Sequence, residues 1–209
     1  MNLPNKITVV RIVLIPFIVF FYLSTSFIAC GKLIAAGLFA VACLTDFLDG
    51  YLARKLNLVT TLGKFLDSIA DKMLVLGAFA LVVADNTILA PYGVIAFVIV
   101  IFRELIISAL RQMAASKNVV IAADMWGKVK ANFQFFAILF FMAFSYFIDN
   151  PILGETLYTI FFVICYTLLA LTVLSTIISG VHYFVKNKAV FASEEPKAKK
   201  EEKTEKKEK

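Results

Sequence analysis

The sequence predicts an all-α, polytopic membrane protein, a bundle of six transmembrane helices. Three observations predict it. Of 209 residues, 61% are hydrophobic and only 17% charged, and the mean hydropathy of +0.86 is too high for a domain whose surface must face water. The apolar residues gather into six runs of about 20, the length a helix needs to cross a ~30 Å hydrocarbon core. Basic residues then recur in alternate connections between those runs.

The first run, Thr8 to Phe27, follows Lys6 and contains Arg11. It is long for a signal-peptide core and lacks a clear small-residue cleavage pattern, so it reads as a retained span. Leu33 to Leu52 and Phe65 to Val83 form the second and third spans, Ala90 to Leu110 and Phe133 to Ile148 the fourth and fifth, and Leu157 to Val185 the sixth. Lys6 and Arg11 precede or open the first span. Arg54, Lys55 and Lys64 lie between the second and third, Lys117, Lys128 and Lys130 between the fourth and fifth, and Lys186 and Lys188 after the sixth. The other connections carry only Lys32. The positive-inside rule then places both termini and the second-to-third connection in the cytoplasm; the expected location is the cell (plasma) membrane.

The composition divides the chain into a membrane domain over 1–192 and a charged tail over 193–209. The tail, SEEPKAKKEEKTEKKEK, holds seven lysines and six glutamates and cannot bury a core, so it reads as a disordered cytoplasmic segment. Its near-cancelling charges give only weak attraction to anionic head groups, and the rest of the chain stays net positive. Membrane lipids are the expected surroundings; no nucleic-acid partner is expected. Cys30, Cys43 and Cys165 have no metal or redox spacing and read as reduced packing residues. His182, the only histidine, reads as an interface residue at the end of the last span.

One stretch does not fit a lipid environment. Thr45 to Leu74 reads TDFLDGYLARKLNLVTTLGKFLDSIADKML, with four aspartates among apolar residues. An acidic side chain near the centre of a membrane helix costs about 2.5–3.5 kcal/mol on insertion scales, so such residues mark a site. Asp46 and Asp49 are three apart at the end of the second span; Asp67 and Asp71 are four apart at the start of the third. Each pair therefore projects from one helical face. A hairpin turning near Leu56 and Asn57 brings Asp46 level with Asp67 and gathers four carboxylates near one membrane surface. Their mutual repulsion calls for a compensating cation. Hard divalent ions take oxygen ligands, and four carboxylates can hold two of them, an arrangement suited to chemistry at phosphorus. Gly50 and Gly63 permit close backbone approach to a bulky ligand, and Arg54 offers a fork for phosphate.

Asp46, Asp49, Gly50, Ala53, Arg54, Gly63, Asp67 and Asp71 fill every fixed position of D-x2-D-G-x2-A-R-x8-G-x3-D-x3-D. In this the chain resembles the CDP-alcohol phosphatidyltransferase family, whose members have six membrane helices and an active site at the cytoplasmic surface. The resemblance implies transfer of a phosphatidyl group from CDP-diacylglycerol to an alcohol with release of CMP, and two divalent cations, Mg²⁺ or Mn²⁺. It implies Asp46, Asp49, Asp67 and Asp71 as metal ligands, with Asp71 also the general base. It further implies Gly50, Ala53, Arg54 and Gly63 as the cytidine diphosphate cradle, with Thr60 placed to offer a hydroxyl to the donor phosphate. A homodimer is also implied.

The acceptor is read from later residues. In RELIISALR, Arg103, Glu104, Ile107, Ser108 and Arg111 share one stripe, and AADMWGKVKANFQ adds Lys128, Lys130, Asn132 and Gln134. Cations beside a phosphoryl-transfer centre point to an acceptor that itself carries phosphate, with Arg111, Lys128 and Lys130 as candidate ligands. Arg103 and Glu104 read equally well as a structural ion pair, and the two lysines as positive-inside anchors. These stretches, with the opening NLPNKITVVRI, resemble the branch of the family that makes phosphatidylglycerolphosphate from glycerol 3-phosphate. Ala131 departs from that branch's GKxKT pattern. A cardiolipin synthase is the nearest alternative. An ion-coupled transporter is the alternative from another class, disfavoured because the carboxylates gather at one surface and no repeat or broken helix pair is visible.

Overall fold

A computed structural model describes residues 3–55, 61–85, 89–116, 125–150, 152 and 154–188; within its helices the side chains of residues 3–6, 46–55, 61, 62, 64 and 116 fall outside the description. Six α-helices make up the described fold: α1 Leu3–Leu23, α2 Gly31–Lys55, α3 Thr61–Ala84, α4 Tyr92–Ser116, α5 Met125–Asp149 and α6 Glu155–Lys186. The proposed tail lies outside these residues.

Each predicted span corresponds to one helix, with shifts at the ends. The first span was expected to reach Phe27, but α1 stops at Leu23. The next residues, Ser24, Thr25 and Ser26, favour turns over helix. The Ser24 carbonyl accepts from the amides of Phe27 at 3.1 Å and Ile28 at 2.9 Å, closing a tight connection. Gly31 completes it, because a Cβ there would collide with the Phe21 carbonyl oxygen. The fifth helix begins at Met125, about two turns before the apolar run, so Lys128 and Lys130 lie within α5 and not in a connection.

Three of the helices, Tyr92–Ala115, Met125–Asp149 and Glu155–Lys186, are long and apolar enough to cross a membrane; Ile7–Leu23 and Gly31–Thr45 are shorter apolar helices. Their apolar residues point outward. On α1, Val10, Val13, Phe17 and Phe20 are more than half exposed, while Thr8, Arg11, Ile18 and Tyr22 on the opposite face are buried. On α6, Leu174, Val181 and Val185 are exposed, while Thr172, Thr176, Ser179 and Tyr183 face inward. A continuous apolar exterior over polar inward stripes suits lipid better than water. The inward hydroxyls of α6 are satisfied within the helix: Thr172 donates to the Leu168 carbonyl at 2.8 Å and Thr176 to that of Thr172 at 2.6 Å.

α1 packs chiefly on α2 and α3, α5 on α6 and α2, and α4 on α6. Phe39, Phe79, Val100, Phe141 and Met142 fill the centre, and Phe144 stacks on Phe161 with ring centroids 5.1 Å apart. Of the three cysteines, Cys165 is buried and Cys43 half-buried. Cys30 is exposed, 3.9 Å from the Tyr146 hydroxyl, so the packing role expected of it is not found.

At one end of the bundle, Lys32 at the start of α2 is buried between two carboxylates. Its Nζ lies 2.7 Å from Asp85 Oδ2 and 2.7 Å from Asp149 Oδ2, and Tyr22 Oη is 3.0 Å from both Asp85 Oδ2 and Ser145 Oγ. These contacts join the ends of α1, α3 and α5 to the start of α2, the alternation expected of an up-down bundle. The one basic residue at odds with the charge asymmetry is thus neutralised.

Candidate active site

At the opposite end, Gly63, Asp67 and Asp71 follow one another at four-residue spacing along α3, which stacks them on one face. Asp67 and Asp71 are each about two-fifths exposed. Facing them from α1 is Arg11, whose side chain is wholly buried. Its Nη1 lies 2.6 Å from Asp71 Oδ1 and 3.2 Å from Asp67 Oδ1. Arg11 belongs to the inward stripe of α1, and the two carboxylates help offset the cost of desolvating the guanidinium there. Its pairing with these aspartates was not apparent from the sequence, where it counted as an orienting charge and as part of NLPNKITVVRI; its place on the Thr8, Arg11, Ile18, Tyr22 face was the available signal.

Asp46, Asp49, Gly50, Ala53 and Arg54 lie in the last turns of α2, and their side chains fall outside the described residues, as does Thr60 altogether. Among the described residues no three metal-type ligands converge. The donor set nonetheless fits a hard cation. Asp67 and Asp71 are oxygen donors one turn apart, each still about two-fifths exposed beside Arg11.

Asp71 also borders a cavity of about 220 Å³ between α2, α3, α4 and α5, lined by Cys43, Lys72, Leu74, Val75, Leu76, Glu104, Lys130, Ala131 and Gln134. Lys72 was not singled out from the sequence. Its Nζ donates to the Ser68 hydroxyl at 2.8 Å and carbonyl at 3.1 Å. Lys130 is buried and paired with Glu104, which Arg103 also contacts at 3.1 Å; Arg103 in turn donates to Ser179 Oγ at 2.5 Å. The ion-pair reading of Arg103 and Glu104 is therefore realised, and it extends to Lys130 and to α6. Lys128 is exposed. Arg111 is also exposed, with its guanidinium 5.6 Å from the centroid of the Tyr183 ring. Of the three candidate phosphate ligands, Lys130 alone lines this cavity. His182 packs beside Trp126, centroids 6.4 Å apart.

A carboxylate at the mouth of a small cavity with lysines on its wall suits deprotonation of a small, anionic alcohol. Comparison with known proteins identifies the family. Residues 1–178 match the family model described as CDP-alcohol phosphatidyltransferase. A Bacillus subtilis protein is 42% identical over 147 residues, covering 66% of this chain and 74% of its own length. A Haemophilus influenzae protein is 41% identical over 140 residues, covering 66% and 73%, and one from Rickettsia felis 38% over 138 residues, covering 66% and 72%. All three are named CDP-diacylglycerol–glycerol-3-phosphate 3-phosphatidyltransferase. With a match of that extent and relatives of that identity, the chain belongs to the CDP-alcohol phosphatidyltransferase family and is a phosphatidyltransferase.

Proposed function

We propose that this membrane enzyme transfers the phosphatidyl group of CDP-diacylglycerol to glycerol 3-phosphate, giving phosphatidylglycerolphosphate and CMP. The observation that carries the reading is the cavity in which Asp71 meets Lys72 and Lys130, a setting for a small alcohol bearing phosphate. The names of the similar proteins support the same acceptor.

In this reading Asp71 takes the proton of the acceptor hydroxyl as its oxygen bonds to the lipid-bearing phosphorus; the pyrophosphate P–O bond breaks and CMP leaves. Arg11 fixes the rotamers of Asp67 and Asp71 so that one carboxylate faces the acceptor. Gly50, Ala53, Arg54, Thr60 and Gly63 cradle the cytidine diphosphate. Lys130 and Lys72 face the acceptor phosphate in the cavity, and Arg111 and Lys128 draw the anion in from the cytoplasmic side. Asp46, Asp49, Asp67 and Asp71 hold two divalent cations, Mg²⁺ or Mn²⁺, which when bound stabilise charge on the pyrophosphate.

All six helices cross the cell membrane, with both termini and the site cytoplasmic, and two copies forming a homodimer. The site then lies at head-group depth, where a lipid donor and a water-soluble acceptor can meet. The test is CMP release by purified enzyme in detergent, with CDP-diacylglycerol as donor and glycerol 3-phosphate, phosphatidylglycerol, serine or inositol phosphate as acceptor. Glycerol 3-phosphate should be productive. Turnover with phosphatidylglycerol alone would make the protein a cardiolipin synthase.

A further inference from the structure

We infer that Gln134 is the residue that recognises the second hydroxyl of the acceptor, and so sets the enzyme's preference for a diol phosphate over a simple alcohol phosphate; this rests on the function proposed above. Gln134 sits on α5 one turn after Lys130, on the same face, and lines the cavity that Asp71 borders. It is 1% exposed, yet its Nε2 meets no hydrogen-bond partner in the protein. A buried amide with unmet hydrogen-bonding capacity is rare in a folded protein, and it needs a reason. The polar side chains that share the cavity wall do not supply one: Lys130 and Lys72 are donors like the amide nitrogen itself, and the Glu104 carboxylate accepts from Lys130 and Arg103.

The acceptor supplies the complement. Glycerol 3-phosphate carries a phosphate and two hydroxyls. Its phosphate is matched by the lysines on the wall, and the hydroxyl that reacts is matched by Asp71. The remaining hydroxyl enters a cavity whose other walls are Cys43, Leu74, Val75, Leu76 and Ala131, which do not replace the water it loses, and Glu104, which already accepts from Lys130 and Arg103. An amide both donates and accepts, as a hydroxyl does, so the pairing holds whichever way the amide is turned. A site built to hydrogen-bond a substrate hydroxyl rejects the analogue that lacks it, because its own polar group is then left unpaired.

The experiment compares kcat/KM for glycerol 3-phosphate and for 3-hydroxypropyl phosphate, which lacks the second hydroxyl, in the wild-type enzyme, Gln134→Leu and Gln134→Asn. The wild type should prefer glycerol 3-phosphate by about tenfold or more. Gln134→Leu should lose that factor on glycerol 3-phosphate and stay within about twofold of wild type on the analogue, bringing the ratio close to one. Gln134→Asn, which withdraws the amide, should fall between. Because the amide nitrogen has no hydrogen-bond partner in the protein to lose, Gln134→Leu should fold with an unchanged or raised melting temperature. An unaltered ratio, an equal loss on both acceptors, or a destabilised Leu variant each overturns the inference. Activity with phosphatidylglycerol and none with either phosphate would instead overturn the proposed function, a result distinguishable from these.

Discussion

Arg11 Nη1 lies 2.6 Å from Asp71 Oδ1, joining a fully buried guanidinium on α1 to the carboxylate proposed to take the acceptor's proton. The same nitrogen reaches Asp67, so one cation from outside the family motif holds both aspartates of α3. Arg11→Met should leave those carboxylates without their positioning charge and lower kcat by about 100-fold, equivalent to ~2.7 kcal/mol. Because a single nitrogen makes both contacts, Arg11→Lys should retain part of the activity. Wild-type turnover by Arg11→Met would show that the pair is not needed for positioning.

Glu104 joins Lys130 of α5 to Arg103 of α4. Removing one partner of a buried ion pair leaves uncompensated charge, a loss of about 3–5 kcal/mol. Glu104→Ala should therefore lower the thermal stability of the purified protein sharply, whereas Glu104→Met combined with Lys130→Met should recover much of it. If Lys130 also meets acceptor phosphate, the stable double variant will still show a raised KM for glycerol 3-phosphate and an unchanged one for CDP-diacylglycerol. A normal acceptor KM in that variant would confine Lys130 to a structural role.

At the far end, Lys32 holds Asp85 and Asp149 at 2.7 Å each, remote from the motif. Lys32→Met should destabilise the bundle by several kcal/mol, on the order of the ~3–5 kcal/mol for a broken buried pair. It should leave both Michaelis constants unchanged in the enzyme that remains folded. Measuring heat inactivation beside the kinetics checks both halves. A shift in substrate affinity without loss of stability would contradict the separation of the two ends.

The helices were legible because hydrophobicity repeats locally: each apolar run maps onto one helix. Their ends were less so. Hydropathy registers the apolar part of α5 but not the two polar turns from Met125, and it carried α1 through Ser24 to Phe27 across a turn that hydroxyl side chains favour. Of the site, the eight motif positions could be read from spacing along two helices. Lys72 could not, and Arg11 and Gln134, though they stood in the stretches read for the acceptor, could not be given their parts, because their significance lies in what faces them. Arg11 meets Asp71 across 60 positions of sequence, and Gln134 matters only because α3 and α5 share a cavity. A sequence read along one helix at a time does not carry such pairings.

Asp71 has two proposed roles, metal ligand and proton acceptor, which substitution can separate. Asp71→Asn keeps the shape and one oxygen for a cation but removes the basicity that a general base requires, and it weakens the pairing with Arg11. Turnover should fall by about 10²–10⁴-fold, the usual contribution of general base catalysis, while CDP-diacylglycerol binding largely survives. Asp46→Asn differs because its proposed role is ligation alone. Charge lost from the metal site should weaken cation binding, and excess Mg²⁺ or Mn²⁺ should restore part of its activity. Asp67→Asn should behave like Asp46→Asn but with an added loss of order, since it too is held by Arg11. Metal titrations of the three variants, with donor binding measured in parallel and chelation as the zero point, distinguish these outcomes. Full recovery of Asp71→Asn at high metal concentration would mean that its carboxylate acts by ligation and that the proton leaves by another route.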